Sequence, residues 1–340
     1  MPLPPIERFT THSGIRLYRL PLEVFPNFIA YAYVVLGLDV PTLIDTGSGL
    51  GESNTHLLGG LQAVHDDFGE AFRVSDLRRI LVTHGHIDHF GGLAFIAAQA
   101  PQAQIGIHPL DRRILTAYEE RLLVATKDLR VYLERAGLSP ERMPQFIQMY
   151  GFAKQHVQSV PTQLTLDEGY PLPGLEFIHT PGHCSGQICI RIEDILLTAD
   201  HILPRTTPHQ SPESITRATG IGHYLESLQR IRTVSGVRLG LGGHEEAMTD
   251  LPTRIDDIRA SLMRKLERVQ DVLQESSEPL TIKAISKALY AEKQGYDILL
   301  AFLQTGALVE YLYERGQLAV RNLDEVERDS NPALAYTLIE

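Results

Sequence analysis

Cysteine is scarce in this 340-residue chain: there are two, Cys184 and Cys189. Two thiols so close together cannot frame a fold of this size or complete a thiolate metal cage, so a disulfide scaffold and a cysteine-based zinc ribbon are excluded. A reducing, cytoplasmic setting is expected. Positive charge is also short. With 31 Lys+Arg against 42 Asp+Glu the formal net charge is -11, which disfavours long-range attraction to nucleic acid or anionic lipid. No apolar run approaches the roughly 18 residues of a membrane span. The opening MPLPPIERFTTHSG has no basic start followed by an apolar core, so no secretory signal is expected. Fixed-period repeats and low-complexity tracts are missing as well. What is present, 43% hydrophobic and 21% charged residues, is the composition of a globular protein of about two domains.

Along the first 110 residues, short apolar runs alternate with turn residues: IRLYRLPL, NFIAYAYVVLG, PTLIDTG, RRILVTHG and AQIGIHP read as strands, with helical patterns at Asn54–Phe68 and Leu93–Gln99 between them. The periodicity turns helical from 111 to 158, where Leu115, Tyr118, Leu122, Leu129 and Leu133 recur at helix spacing, which predicts a helical insertion. Strand-like QLTLDEG, LEFIHT, GQICIRIE, DILLTAD and VRLGLGGHEEA carry the chain to about 250. Residues 251–340 then predict three helices, the first long and charged over Ile255–Glu275, and a terminal hairpin, the layout of a small winged-helix-like unit.

The fourteen histidines matter most by position. In Ile80-Leu-Val-Thr-His84-Gly-His86-Ile-Asp88-His89-Phe-Gly91-Gly92 an apolar strand runs into a loop that crowds three imidazoles and a carboxylate into one turn. Such crowding is costly unless a cation collects the groups, and this donor set suits divalent zinc, iron or manganese. The spacing allows two ions. His183 in HTPGHCSG, Asp200 in LLTAD and His244 in LGLGGHEE are further ligand types at the carboxyl ends of strands, where open α/β sheets assemble their sites. Each alone would read as a cap or core residue; their order after the cluster gives them weight.

The set THGHIDHFGG, TPGHCSG, LTAD and GGH, with LIDTG upstream, resembles the ordered motifs of the metallo-β-lactamase fold hydrolases over about residues 15–250. The resemblance implies an α+β fold, a four-layer αββα sandwich as catalytic domain at 1–250, with the 251–340 unit appended. It further implies that His84, His86 and His183 bind one metal, that Asp88, His89 and His244 bind a second, and that Asp200 bridges them. Two divalent ions are expected, zinc by default with iron or manganese accepting the same donors. Asp45 in LIDTG matches an aspartate that orients the ligand loop by hydrogen bonds and is left outside the ligand set. In such sites an activated water attacks a carbonyl carbon or a phosphorus, and the resemblance gives the proton transfer to the leaving group to Asp88 or to a second water, with Asp88 the candidate catalytic residue.

Of the remaining histidines, His201 is expected to point away from the cleft, and His108, His179 and His223 to be structural or exposed, while His209 lies in a proline-rich loop that could border the substrate. Cys184 reads as a small buried thiol. Glu245 departs from the glycine common after this last histidine, leaving two readings, altered metal preference or altered loop shape. Gly91 and Gly92 suggest close loop packing. The Leu122, Leu129, Leu133 stripe suggests a helix packed on the main body.

With DHILP followed by HYLESLQRI, then a charged helix and KAISKALY, the tail's layout resembles that of the branch including β-lactamase-like protein 2, an endoribonuclease. Yet residues 251–340 hold 11 Lys+Arg against 15 Asp+Glu, the wrong sign for neutralising phosphates. A glyoxalase-II-like hydrolase of a small-molecule ester, thioester or lactone is therefore the leading expectation. A phosphodiesterase or endoribonuclease on the same metals is the second, and a binding module with a structural metal the third. The tail is expected to pack over the cleft or at a subunit interface, and the latter is compatible with a homodimer.

Overall fold

The computed structural model describes residues 3–151 and 156–339; part of the expected insertion, 152–155, lies outside the described residues. Seven strands form a first sheet in chain order: β1 Glu7–Thr10, β2 Arg16–Phe25, β3 Phe28–Leu36, β4 Thr42–Ile44, β5 Arg79–Leu81, β6 Gln104–Ile107 and β7 Leu164–Thr165. Pairing is antiparallel from β1 to β4 and parallel from β4 to β7. The second sheet comprises β8 Glu176–His179, β9 Ile188–Ile192, β10 Ile195–Ala199, β11 Leu239–Gly242 and β12 Ala247–Met248, in the order β12-β11-β10-β9-β8, with only β10 and β11 parallel among them.

Strand periodicity sorts the side chains into layers. On β3, Tyr31, Tyr33 and Val35 enter one apolar cluster while Ala30, Ala32 and Val34 enter another. On β9, Ile188, Ile190 and Ile192 face the first sheet and Cys189 faces the opposite way. The alternation follows from the two-residue repeat of a strand. One core therefore lies between the sheets. A second packs the outer face of the first sheet against α1 Ser53–Asp66 and α3 Leu93–Gln99, beyond the one-turn α2 Ile87–Phe90. The result is helices, sheet, sheet, helices, as expected.

The fourth layer is extensive. It gathers α5 Tyr118–Arg135, which follows the short α4 Arg112–Thr116, with α6 Met143–Gly151, α7 Ile221–Arg232, α8 Leu251–Gln274, α9 Ile282–Leu289 and α10 Tyr296–Glu314. Helix α8 starts where Asp250 accepts from Thr253 N, a side-chain cap, and buries Ile255, Ile258, Leu262, Leu266, Val269 and Leu273 at helical spacing. Leu129 and Leu133 of α5 share this core with Leu299, Phe302 and Leu308 of α10. Strands β13 Leu280–Thr281, β14 Leu318–Val320 and β15 Ala335–Leu338 form a third sheet in the order β13-β15-β14, with α11 Leu323–Arg328 between the last two. Among the described residues no helix is long and apolar enough to cross a membrane.

Candidate metal centre

Strands β4 and β5 are parallel neighbours, with Ile44 opposite Leu81, so the chain leaves both at the same sheet edge. Asp45 follows β4 in a left-handed conformation, φ 60°. Its carboxylate accepts Thr83 N and Thr83 Oγ1, each at 2.8 Å, and His89 Nδ1 at 2.8 Å. One buried carboxylate thus ties the start of the histidine loop to its end. Asp200 and His244 leave the ends of β10 and β11, which are parallel neighbours in the second sheet, and His183 lies in the turn after β8.

The seven expected ligands assemble into two groups, His84, His86 and His183 in one, and Asp88, His89, Asp200 and His244 in the other; within each group the donor atoms lie within 4.8 Å of one another. Asp200 spans both, with Oδ2 3.6 Å from His183 Nε2 and 3.3 Å from His244 Nε2, and Oδ1 3.4 Å from His89 Nε2. Outer partners fix the rings. Besides the bond from His89 to Asp45, His183 Nδ1 donates to the His209 carbonyl and His244 Nδ1 to the Ile29 carbonyl, each at 2.7 Å. Those bonds place a proton on each Nδ1 and turn each Nε2 inward, toward the position a cation would take. His84 Nε2 and His86 Nδ1 face each other at 3.1 Å.

Three inward atoms, His89 Nε2, His183 Nε2 and Asp200 Oδ1, are buried with no hydrogen-bond partner among the described residues. Leaving such a group unpaired costs about 1–3 kcal/mol each, and a cation in each donor group would satisfy all three. The donor set fits divalent metal ions.

The two groups differ electrostatically. Burial, reinforced by neighbouring imidazoles, pushes His84 well below its ordinary pKa and His86 down to about 3; burial lowers His183 too. This half stays neutral. In the other half burial also favours the uncharged forms, but mutual attraction wins. Asp200 and the other carboxylates raise His89 well above its usual value and His244 to about 10. His89 and His244 in turn hold Asp88 at about 2, and with the order reversed hold Asp200 well below the carboxylate range. Two carboxylates there draw positive charge to a place that a dication can fill.

Close contacts explain two glycines around the site. A β-carbon on Gly91 would collide with Ser48 O, and one on Gly243 with Asp200 Oδ1 and His89 Cε1, so these loops pack directly on one another.

Sequence reasoning missed Asp111. It stands before α4 like a helix cap, but its side chain makes no cap bond there. Instead it is buried and accepts from Gly85 N at 2.8 Å, Gly186 N at 3.0 Å and the Cys184 thiol at 3.2 Å, bracing the His84–His86 turn against the His183 turn. No local pattern distinguishes it from an ordinary cap.

The remaining residues fall into place. Cys184 is a thiol pushed well up by burial and then by Asp111. Both cysteines are free. Glu245 adopts φ 63°, which explains why glycine suits the position; its carboxylate accepts Arg205 N at 2.7 Å and Thr206 Oγ1 at 2.5 Å, so it shapes the adjoining loop. His201 is buried with its ring 5.2 Å from that of Tyr224, outside both ligand groups. His108 and His179 stack at 4.0 Å, and His223 pairs with Glu213 at 3.0 Å. The Phe28 ring lies 4.6 Å from that of His244 and is half exposed at the rim.

The chain is 24% identical over 281 residues to an atrochrysone carboxyl ACP thioesterase of Aspergillus chevalieri, covering 82% of this chain and 70% of that one. Its fold is similar to the metallo-beta-lactamase family protein TTHA1429 of Thermus thermophilus, with a TM-score of 0.76 at 24% identity over 95% of this chain and 98% of that one. A beta-lactamase domain protein from Burkholderia ambifaria gives a TM-score of 0.71 at 20% identity, covering 98% and 95%. The sequence model of the Metallo-beta-lactamase superfamily matches residues 26–273, well over half the chain and every one of the clustered donors: this protein belongs to that superfamily of hydrolases.

Proposed function

We propose that the protein hydrolyses a small-molecule thioester, or a related ester or lactone, with His84, His86 and His183 holding one divalent cation, zinc by default, Asp88, His89 and His244 a second, and Asp200 shared between them. The observation that carries this reading is the pair of inward donor groups about Asp200, with three inward buried atoms that have no hydrogen-bond partner among the described residues. Seven donors over two ions leave positions for water and substrate, unlike a closed structural site. When bound, the cations supply an activated water and polarise the electrophile.

The chain's own residues do the rest. Asp45 and the carbonyls of His209 and Ile29 keep three imidazoles in the tautomer that presents Nε2. Asp88 is held as a carboxylate, Oδ2 3.4 Å from His244 Nε2, and is partly exposed; it accepts the proton of the attacking water and returns it to the leaving group. No protein nucleophile is required, and Cys184 stays protonated. Thioester is preferred because the matched thioesterase aligns over 82% of this chain. The acidic balance, net -11, disfavours a polyanionic substrate such as RNA. In this reading residues 1–250 form the catalytic domain in a cytoplasmic protein, and 251–340 a winged-helix-like unit; helix α8 followed by β13, α9, α10, β14 and β15, with sheet order β13-β15-β14, supports that layout.

A panel of acyl thioesters, lactones and single-stranded RNA offered to the metal-reconstituted protein tests the reading. Turnover of thioesters with silence on RNA is the expected result. Cleavage of RNA alone overturns it, and salt-dependent DNA binding without any turnover favours a binding module.

A further inference from the structure

The outer partner of His183 belongs to a loop that the C-terminal helices hold in place. His183 Nδ1 donates to the carbonyl of His209 at 2.7 Å, while the His209 ring turns the other way, with Nε2 2.9 Å from the carbonyl of Leu300 in α10. One residue on, Gln210 N donates to Gln304 Oε1 of the same helix at 3.2 Å, and both glutamines are buried. Helix α10 is firmly seated: Leu299, Phe302 and Leu308 are in the core, and a β-carbon on Gly306 would strike Tyr132 Oη and Pro212.

We propose that His209 is a positioning residue coupling helix α10 to the metal centre, its ring anchored on Leu300 and its carbonyl fixing the orientation of the His183 imidazole. The coupling rests on the reading of His183 as a metal ligand. A ligand imidazole must present its lone pair along a fixed direction, and the acceptor on its other nitrogen sets both tautomer and ring plane. A loop carbonyl can do this only if the loop is stationary. Residues 203–219 contain no helix or strand, so their rigidity comes from anchors: Glu245 at Arg205 and Thr206, and α10 at His209 and Gln210. The C-terminal unit supplies none of the clustered donors, yet it determines how well one of them is aimed.

Cobalt(II) titration of the full chain against a competing chelator, followed by visible absorption, tests the coupling. The unaltered chain is expected to take up two ions. His209→Leu is expected to weaken one of them by about 10- to 100-fold and to shift the visible bands, with the circular dichroism of the metal-free protein unchanged. His209→Gln, whose amide can still donate to the Leu300 carbonyl, is expected to restore most of the affinity. Equal affinities in all three overturn the coupling. Should His209→Leu not fold, Gln304→Leu removes the acceptor of Gln210 N: weakened binding of one ion supports the proposal and unchanged binding overturns it. An unaltered chain that takes up no cobalt overturns the metal reading itself, a failure recognisable before any substitution is made.

Discussion

The two halves of the donor cluster share one loop and almost touch, the His84 and His89 rings lying 4.2 Å apart, yet they are opposite in character. The His84, His86, His183 half has only imidazoles and is kept neutral by burial; the Asp88, His89, Asp200, His244 half has two carboxylates that pull protons onto their neighbours. The difference is one of charge supply. The first half offers imidazoles and no carboxylate of its own beyond the neighbouring Asp200, so its geometry has to be imposed from outside, by Asp111 and by the His209 carbonyl. The second half holds itself together by attraction, with Asp45 adding orientation.

Asp200 is the group whose loss should erase the distinction. Asp200→Asn removes charge facing His89, His183 and His244 together, and we expect both ions to be lost and hydrolysis to fall on the order of a thousandfold or more, with circular dichroism unchanged. His86→Ala and Asp88→Asn then separate the halves. Each is expected to abolish turnover in a folded chain, and elemental analysis is expected to find one ion remaining. Loss of the circular dichroism signal in both variants would mean that the metals serve the fold and not the chemistry.

An intermediate effect is expected at Asp111. Asp111→Ala leaves Gly85 N and Gly186 N unpaired, at about 1–3 kcal/mol per buried donor, and it loosens only the imidazole half. Thermal unfolding should drop by several degrees, and one metal affinity of the two should fall about tenfold. An equal loss at both ions would show that the halves are not braced separately.

The smallest effect lies outside the cluster. Burial and then His179 lower His108 from 6.5 to about 4, against the opposing pull of Asp167. The unfolded chain therefore takes up this proton first, so the contribution to stability is full above about pH 6.5 and declines as the pH falls toward 4. His108→Gln is expected to flatten that part of the melting curve against pH by about 2 °C while leaving both metal affinities alone. A change in metal binding would extend the brace beyond Asp111.

The clustered donors were legible because metal chemistry needs particular side chains at short spacing, and His84, His86, Asp88 and His89 satisfy that within a single turn. Strands were legible where apolar runs met turn residues. Helix α3 matches its expected bounds, Leu93–Gln99, and α1 ends two residues before the expected Phe68. Strand β1, only half buried, carries too weak an alternation to be read, and α11 has no buried side chain to give it a period. Asp111 and His209 were not legible as braces because their partners, Gly85, Gly186, Leu300 and His183, are backbone groups or residues distant in the chain. A contact made to a carbonyl or an amide leaves no mark on the residue type at the other end.

The apolar cluster that unites α5 and α6 with α7 to α10 has a consequence for how such a chain can be inherited. Ile178, Cys189 and Leu196 of the second sheet, Leu228 and Ile231 of α7, and Leu129 and Leu133 of the insertion all share it with the C-terminal helices. Exchanging the final ninety residues for another sequence, or deleting them, would bare the apolar faces of these elements to water. Helices α5 and α6 and the helices from residue 251 onward are therefore expected to persist or vanish together in descendants, whatever substrate each lineage comes to use.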